Sequence, residues 1–276
     1  MIIPKLKGGL CNQMFQIATA YGVAKRSYLE YGIDPSLEWT GGQEGCAHTK
    51  YLDNIFKNIP RGTYDETYTT YDEPTFSHKD ITGRPNLLID GYFQCERYFA
   101  EYRDDLQSLF HFDDDTLRNV NEKLDKIKST FNVDKVVSIH VRRGEYLVPG
   151  YNHVHVGLSR DHYLEAMSMF DDCAYIVTSD DIKWCQDNLN IDSVAFCNTG
   201  YDYNTVRRPD FTKFNELYDL CLAMNCDHNI ISPSSFSWWG AWLGKDNKRV
   251  ITGDTWFGPG GPQDYQDIIC EGWEVI

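Results

Sequence analysis

The strongest chemical signal in the sequence is a basic motif, SIHVRRGEY, at 138–146. Alternation along a strand would place His140 and Arg142 on one face, close to the carboxyl end of that strand. Burying these two side chains is unfavourable unless a polar or anionic partner meets them. Because an arginine fork can bind two oxygens of a phosphate, the motif predicts an anion-binding site. A salt bridge from Arg142 or Arg143 to one of the many acidic residues is the structural alternative.

Two more polar motifs follow predicted strands in the same half of the chain. Asp180, within TSDD, could cap the next helix or accept hydrogen bonds from a ribose or a base. In SPSSFSWWGAWL at 232–243, the hydroxyls of Ser234 and Ser235 and the free N–H groups of a helix start could hold an anion. Phe236 and the tryptophans could stack on a base or line a sugar, although they equally suit a buried, well-capped helix.

A glycine turn lies near the N-terminus, where Gly8 and Gly9 separate a predicted strand from a helix predicted over 12–28. Glycines at such a turn let backbone N–H groups approach a phosphate or a sugar. The GxGxxG spacing is absent, so a dinucleotide-binding fingerprint is not supported. A tight structural turn, with Asn12 or Gln13 capping the helix, also explains the motif.

The elements that must position the basic, acidic and serine motifs alternate strictly from about residue 133 onward. The predicted strands are 135–141, 174–178, 193–196, 229–232 and 249–252, and the predicted helices are 159–170, 181–189, 210–225 and 235–243. This alternation indicates βαβ units and a parallel sheet. Ligands bind such sheets beyond the carboxyl ends of the strands, which is where the three motifs fall.

The first half of the chain has weaker patterns. A strand is predicted at 87–92, and the apolar stripe of 117–127 predicts a helix whose start carries three consecutive aspartates at 113–115. Carboxylates are favourable at a helix start, which is the simplest explanation of the triplet. The polar region 31–84 is expected to form loops and short elements.

Composition places the chain among globular proteins, since 42% of its 276 residues are hydrophobic and 24% are charged. The 26 basic and 41 acidic residues give a net charge of −15, which argues against a nucleic-acid partner and against adhesion to anionic lipid. No apolar run reaches the roughly 18–20 residues of a membrane span, and the N-terminus lacks the pattern of a signal peptide. We therefore expect a soluble, cytoplasmic protein.

Cysteine usage also bears on the class of protein. Nine cysteines, an odd number, are scattered through the chain, and in a cytoplasmic protein they are expected to be reduced thiols. Their spacing relative to the histidines lacks the paired short pattern of a zinc site, so no metal site is predicted.

Three motifs taken together and in this order resemble the inverting α-1,2-fucosyltransferases of glycosyltransferase family 11. They are GGLCNQMFQ at 8–16, HVRRGEY at 140–146 and SSFSWWGAWL at 234–243. The TSDDIKWC stretch at 178–185 also matches that family's pattern. Two positions depart from it, because the family usually has glycine at Cys11 and commonly has aspartate at Glu145.

The resemblance implies an α/β, GT-B-like fold with two Rossmann-like domains facing each other across a cleft. On this basis residues 1–130 would form the N-terminal, acceptor-side domain and residues 131–260 the GDP-fucose-binding domain. Residues 261–276 would form a C-terminal tail that packs back on the N-terminal domain.

The resemblance also implies an activity. L-Fucose would pass from GDP-fucose, with inversion, to a hydroxyl, expected to be O2, of a β-galactoside-type acceptor, giving an α-1,2 linkage. The partners would be GDP-fucose and a galactose-containing oligosaccharide, with no cofactor and no required metal.

Site roles can be carried over from the family onto matching positions. Arg142 would hold the β-phosphate and His140 would help to seat the nucleotide. Asn12 would reach the diphosphate or the fucose from the other domain. Three residues of the serine motif would line the donor pocket, namely Ser234, Ser235 and Phe236. Asp180 or Asp227 would contact guanosine.

The catalytic base is the least determined role. A one-step inversion needs one group to take the acceptor proton. Glu145 is the nearest carboxylate in the basic motif and is therefore the candidate. The loop 146–158 and the region 31–84 are expected by elimination to form the acceptor surface.

Two other classes of protein stay open. A metal-dependent sugar transferase could use the aspartates at 113–115 or the pair Asp180 and Asp181. A nucleotide- or glycan-binding module without catalysis would bind GDP without turnover.

Overall fold

The computed structural model describes residues 1–40, 47–197 and 216–276, except the side chain of Glu145. The chain divides into two compact units. The first comprises Met1–His111 and Asp264–Glu271, and the second comprises Phe112–Gln263 and Gly272–Ile276.

The first unit holds a three-stranded parallel sheet. Its strands are β1 (Ile2–Pro4), β2 (Thr69–Asp72) and β3 (Leu87–Asp90), in the order β1-β3-β2. Helix α1 (Leu10–Arg26) follows β1, and helix α2 (Arg103–Leu109) follows β3. The glycine turn, the exit of β3 and the exit of β2 therefore all lie at the carboxyl end of this sheet.

Helix α1 begins two residues earlier than its predicted start at 12, because Gly9 is the N-cap. The helix is buried along nearly its whole length, with Met14, Phe15 and Ile17 fully inaccessible to solvent. Its core position explains why the helix carries few charged side chains before Lys25 and Arg26, which lie in its last turn.

The second unit holds a six-stranded sheet in which all strand pairs are parallel, in the order β6-β5-β4-β7-β8-β9. The strands are β4 (Lys135–Val141), β5 (Cys173–Ser179), β6 (Val194–Phe196), β7 (His228–Ile231), β8 (Val250–Thr252) and β9 (Glu274–Val275). The helices are α3 (Asp114–Phe131), α4 (Arg160–Ser168), α5 (Ile182–Asn188), α6 (Glu216–Asn225) and α7 (Ser235–Trp242).

Helices cover both faces of the β4–β5–β7 core. Val137, Ile139 and Val141 of β4 form a buried cluster with residues of α4 and α5 such as Tyr163 and Cys185. On the opposite face, α6 and α7 pack against β4 and β7. The predicted βαβ alternation is therefore confirmed. Because the central strands are buried on both faces, their sequences are continuous apolar runs.

The observed division between the units lies before α3, whereas the predicted domain boundary, at residue 130, lies at its end. The stripe Val120, Leu124 and Ile127 is buried, and the helix contacts α6 and β4, so α3 groups with the second unit. The predicted tail is also divided. Residues 264–271 group with the first unit, whereas 272–276 supply β9 to the second.

Two strands were not predicted from the sequence. β2 is largely exposed and β9 has only two residues, so neither carries a recognisable apolar alternation. The predicted helix start at 210 falls outside the described residues. Within residues 1–40, 47–197 and 216–276, no helix is long and apolar enough to cross a membrane.

Candidate active site

The central pair of strands in the second unit, β4 and β7, marks the point where the strand order changes direction. The chain proceeds from β4 outward through β5 and β6, and then resumes on the other side of β4 with β7, β8 and β9. Open parallel sheets bind ligands at such a point, beyond the carboxyl ends of the strands. Arg142 directly follows β4 and Ser232 directly follows β7, so both residues lie at this point.

Ser232 ties these two strand ends together. Its Oγ accepts a hydrogen bond from the Arg142 backbone N–H at 2.9 Å and donates to the His140 carbonyl at 2.6 Å. The Tyr163 hydroxyl lies 2.8 Å from the same Oγ. Because the single Ser232 proton goes to His140, the Tyr163 hydroxyl is the donor in this pair. Burial raises the pKa of Tyr163, so its hydroxyl keeps the proton needed for that bond.

Two carboxylates hold the arginines. Asp180, whose side chain is 5% exposed, pairs through Oδ2 with Arg142 Nη1 at 3.1 Å and accepts the Arg143 backbone N–H on Oδ1 at 2.9 Å. Asp181 caps α5 and binds Arg143 Nε at 3.3 Å. Arg143 also lies 3.8 Å from the centre of the Trp184 ring.

The salt bridge that was the structural alternative for the basic motif exists. Because the Arg142 side chain is still partly exposed, this salt bridge does not exclude anion binding. The Arg142 side chain is 26% exposed, and its guanidinium lies 5.4 Å from the Tyr146 ring centre. A partly exposed guanidinium that a buried carboxylate holds in place can still bind an anion through its exposed part. Because both Asp180 oxygens already have partners, this residue positions Arg142, and its predicted contact with guanosine stays a prediction.

His140 is held in one protonation state. Its Nδ1 lies 3.0 Å from Ser237 Oγ, and that hydroxyl donates to the carbonyls of Ser232 and Ser234. His140 Nδ1 must therefore carry a proton, which leaves Nε2 as an acceptor. Burial lowers the pKa of His140 to about 4; the nearby Asp180 carboxylate opposes this shift, and Arg142 adds a smaller contribution to it. At neutral pH the ring is uncharged, and its face lies 5.1 Å from the Phe236 ring.

The serine motif forms the start of α7. Ser234 is the N-cap and accepts the Phe236 N–H at 3.3 Å, while Ser235 and Phe236 stay half-buried at the first turn. The tryptophans turn inward instead. Trp238 and Trp239 are fully buried, and Trp238 stacks on Trp242 with centroids 5.6 Å apart, so they belong to the core and not to a sugar site.

The loop after the basic motif is anchored next to the arginine. The Tyr146 hydroxyl donates to the Pro233 carbonyl at 3.2 Å, and its ring stacks on His155 with centroids 4.6 Å apart. Glu145 begins a short 3₁₀ helix, Glu145–Leu147, but its side chain lies outside the described residues. Its role as the general base stays a prediction.

In the first unit, Asn12 lies in the first turn of α1 but does not cap it. The N-cap is Gly9, which has no side-chain partner in that role, and Gln13 Nε2 instead donates to the Gly8 carbonyl at 2.9 Å. Asn12 Oδ1 accepts a hydrogen bond from Gln94 Nε2 at 2.7 Å. Cys11, where the family usually has glycine, is an ordinary buried helical residue, so the turn does not need a left-handed backbone there.

Within the second unit, one predicted site residue is separated from the others. Asp227 precedes β7, so it lies at the amino end of the sheet, opposite Arg142. Its carboxylate accepts the Val136 N–H at 2.9 Å and pairs with Lys245 at 3.0 Å. Although burial alone would raise the pKa of Asp227, these partners hold it below its usual range. The structure does not support a shared pocket for Asp227 and Arg142.

The acidic residues that a metal-dependent transferase could use have other partners. Asp113 caps α3 by accepting the Thr116 backbone N–H and hydroxyl, both at 2.8 Å. Asp180 and Asp181 hold the two arginines. In the part of the chain that the structure describes, no group of three or more His, Cys, Asp or Glu residues is arranged to hold a metal ion.

Sequence reasoning missed the residues that support the site from other elements. Tyr163 comes from α4 and Gln94 from the loop after β3, and no local pattern marks either of them. Ser232 had a usable signal, because a serine directly after a buried parallel strand lies where ligands bind.

Known proteins resemble this chain in sequence and in fold. The family model for glycosyl transferase family 11 matches residues 46–276. Alpha-1,2-colitosyltransferase of Escherichia coli is 27% identical over 93% of this chain and 92% of its own length. Galactoside alpha-(1,2)-fucosyltransferase 1 of Leontocebus fuscicollis is 26% identical, and the match covers 86% of this chain and 63% of that protein.

A solved structure shows the same fold. The crystal structure of NodZ alpha-1,6-fucosyltransferase soaked with GDP-fucose matches with a TM-score of 0.54 at 13% identity, over 92% of this chain and 94% of that chain. The expected α/β, GT-B-like fold class is thereby confirmed, whereas the expected cleft stays a prediction. Since the family model covers more than half of the residues, the chain belongs to glycosyl transferase family 11.

Proposed function

We propose that this protein transfers L-fucose from GDP-fucose to O2 of a β-galactoside, with inversion and without a metal ion. The observation that carries the proposal is Arg142, a partly exposed guanidinium held by buried Asp180 at the switch point of the parallel sheet. The family membership of the chain supplies the reaction class, a glycosyl transfer.

The chemistry of the leaving group explains the arrangement. As the bond to fucose breaks, the GDP diphosphate gains negative charge that must be stabilised. Arg142 would bind its oxygens as a fork, and the N–H groups at the start of α7 would add partial positive charge. His140 Nε2, an acceptor at neutral pH, would receive a hydroxyl or N–H of the nucleotide. The Asp180 carboxylate would keep Arg142 aimed before the donor arrives.

The acceptor side needs a base. In a one-step inversion, the acceptor hydroxyl attacks the anomeric carbon of fucose while its proton passes to a nearby group. We assign this role to Glu145, which follows the two arginines on the exit from β4. The GDP diphosphate leaves from the opposite side of the sugar ring, towards Arg142.

The named relatives support the donor and linkage to different extents. Two carry α-1,2 linkages in their names, one with colitose and one with fucose, and the structural neighbour is an α-1,6-fucosyltransferase. Colitose is a fucose that lacks the 3-hydroxyl, so a pocket with a hydrogen-bonding partner for that hydroxyl would discriminate between the two donors.

The test is a direct assay of donor and linkage. The purified chain is incubated with GDP-fucose or GDP-colitose and a panel of β-galactosides, with and without EDTA, and the product is analysed by NMR. The proposal expects an α-1,2-fucosylated galactoside, faster turnover of GDP-fucose, and equal rates in EDTA. Preference for GDP-colitose would reassign the donor. A different linkage, or loss of activity in EDTA, would contradict the corresponding part of the proposal.

A further inference from the structure

A histidine on the loop after the basic motif contacts the tyrosine beside Arg142, and the transfer described above assigns it no part. We propose that His155 is a positioning residue: by stacking on Tyr146, it fixes the ring plane against which the Arg142 guanidinium lies. The inference rests on the proposed function, because it concerns how the diphosphate-binding group is held. All three residues belong to the second unit.

The Tyr146 ring is attached at both ends but can still turn about its long axis. Its backbone belongs to the short 3₁₀ helix Glu145–Leu147, and its hydroxyl donates to the Pro233 carbonyl at 3.2 Å. These attachments define the line from Cβ to the hydroxyl oxygen. Rotation about that line is the χ2 torsion, which has a broad minimum in tyrosine. The hydroxyl bond therefore holds the ring in place without deciding which way its face points.

His155 supplies the missing restraint. Its ring lies nearly parallel to that of Tyr146, with an interplanar angle of 12° and centroids 4.6 Å apart. Turning the tyrosine face would break this overlap, so the stack selects one ring plane. The plane matters because a cation is attracted to the face of an aromatic ring and not to its edge. The Arg142 guanidinium carbon lies 5.4 Å from the Tyr146 centroid, within the range of that attraction.

The loop that carries His155 is itself held by the loop after β8. His155 forms an antiparallel bridge with Phe257, and their ring centroids are 6.2 Å apart. Next to this bridge, the Gly258 N–H donates to the Val154 carbonyl at 2.9 Å. Glycine permits the approach, since a β-carbon at position 258 would lie 2.6 Å from the His153 carbonyl oxygen. The position of His155 is thus set by a second strand exit of the same sheet.

Tyr146 adds to the restraint that Asp180 places on Arg142. The buried Asp180 carboxylate holds Nη1 at 3.1 Å, and the tyrosine face, fixed by His155, limits where the rest of the guanidinium can swing. An arginine fork binds two oxygens only in the right orientation, and a misplaced group lowers the rate. In this role His155 needs no contact with the nucleotide.

The test compares two substitutions of His155. His155→Ala removes the stack, whereas His155→Phe keeps a flat ring and should preserve it. We expect His155→Ala to weaken GDP binding in isothermal titration and to lower kcat/KM for GDP-fucose, each roughly three- to tenfold, the range that corresponds to one aromatic pair. His155→Phe should stay within about twofold of the unsubstituted chain in both measurements.

His228→Ala is the matched control. His228 stacks on Phe170 with centroids 5.3 Å apart and an interplanar angle of 27°. It also belongs to the second unit, but as the first residue of β7 it lies at the amino end of the sheet. His228→Ala and His155→Ala should lower the melting temperature by similar amounts, since each loses one stacked pair. Only His155→Ala should change GDP affinity and kcat/KM.

Double-mutant cycles show whether His155 acts through the proposed chain of contacts. In the background Tyr146→Leu, His155→Ala should weaken GDP binding no further, because the ring that it fixes is gone. The same result is expected in the background Arg142→Ala, because the effect passes through that guanidinium.

Two failures can be told apart. The inference would be overturned by an unchanged His155→Ala, an equal loss in His155→Phe or His228→Ala, or an effect that persists in Arg142→Ala. A rise confined to KM for the galactoside would make His155 an acceptor contact and overturn it as well. Each of these results leaves the transferase in place. An unsubstituted chain that neither turns over GDP-fucose nor binds GDP would overturn the proposed function, and the inference with it.

Discussion

Removing one buried hydroxyl, with Tyr163→Phe, tests how the arginine is held at the strand ends. The Tyr163 hydroxyl donates to Ser232 Oγ, and the same Oγ accepts the Arg142 backbone N–H and donates to the His140 carbonyl. The substitution keeps the ring in the core and removes only the bond between Tyr163 and Ser232. Loss of one buried, uncharged hydrogen bond costs about 1 kcal/mol of unfolding free energy.

The matched control is Tyr175→Phe in β5. Its hydroxyl donates to the Met167 carbonyl at 2.6 Å and is also buried in the second unit, but it has no link to the arginine. Both variants should therefore lose about 1 kcal/mol in urea unfolding. Only Tyr163→Phe should also lower kcat, by about three- to tenfold, because Ser232 can then shift the exit of β4 and misplace Arg142.

The assay is fucose transfer to a β-galactoside at saturating GDP-fucose, with urea unfolding of each variant measured in the same buffer. Equal kcat values for the two variants would refute the reasoning, since the Ser232 link would then contribute only to stability. An intact kcat in Tyr163→Phe despite a full loss of stability would lead to the same conclusion.

Two further predictions concern the histidine and the glycine turn. Because the pKa of buried His140 is lowered from 6.5 to about 4, the unfolded state binds a proton before the folded state does, so stability should fall as pH falls from 6.5 to 4. The loss between pH 7 and 4.5 should be about 2 kcal/mol, and His140→Gln should remove it from urea-unfolding curves. Gly8→Ala, at a φ of +74° and against Asn12, should lower stability by about 1–2 kcal/mol and raise KM for GDP-fucose. Gly272→Ala, at a φ of +84° with open space around its β-carbon, should incur only the backbone cost and leave KM unchanged.

The second unit could be predicted closely because its strands are buried on both faces. β4 matches its predicted limits, and β5, β7 and β8 differ by one residue at one or both ends. In a parallel sheet, chain direction alone decides which end a loop occupies. This rule placed His140, Arg142, Asp180 and the serine motif together before any contact was known.

The same rule shows why Asp227 lies apart from Arg142 and the serine motif. The residue precedes its strand, and residues that precede parallel strands lie at the opposite end from those that follow them. A carboxylate is the right type of group for a guanosine contact, and for Asp227 that contact stays a prediction. Its actual partners, Val136 and Lys245, make it a structural residue at the amino end of the sheet.

The supporting contacts could not be predicted, because they join residues that are distant in sequence. Tyr163 is separated from Ser232 by 69 positions and Asn12 from Gln94 by 82. A buried tyrosine in a helix ordinarily indicates core packing, and an asparagine after a glycine turn ordinarily indicates a cap. Only the three-dimensional arrangement shows that each is hydrogen-bonded to a second polar side chain.

The most direct test of the central claim is the rate of fucose transfer by Arg142→Ala relative to the unsubstituted chain. Because Arg142 is assigned to the charge that develops on the departing diphosphate, we expect kcat to fall by about a hundred- to a thousandfold, the size seen when a key charge-stabilising donor is removed. A transfer rate within threefold of the unsubstituted chain would contradict the claim that this guanidinium stabilises the leaving group.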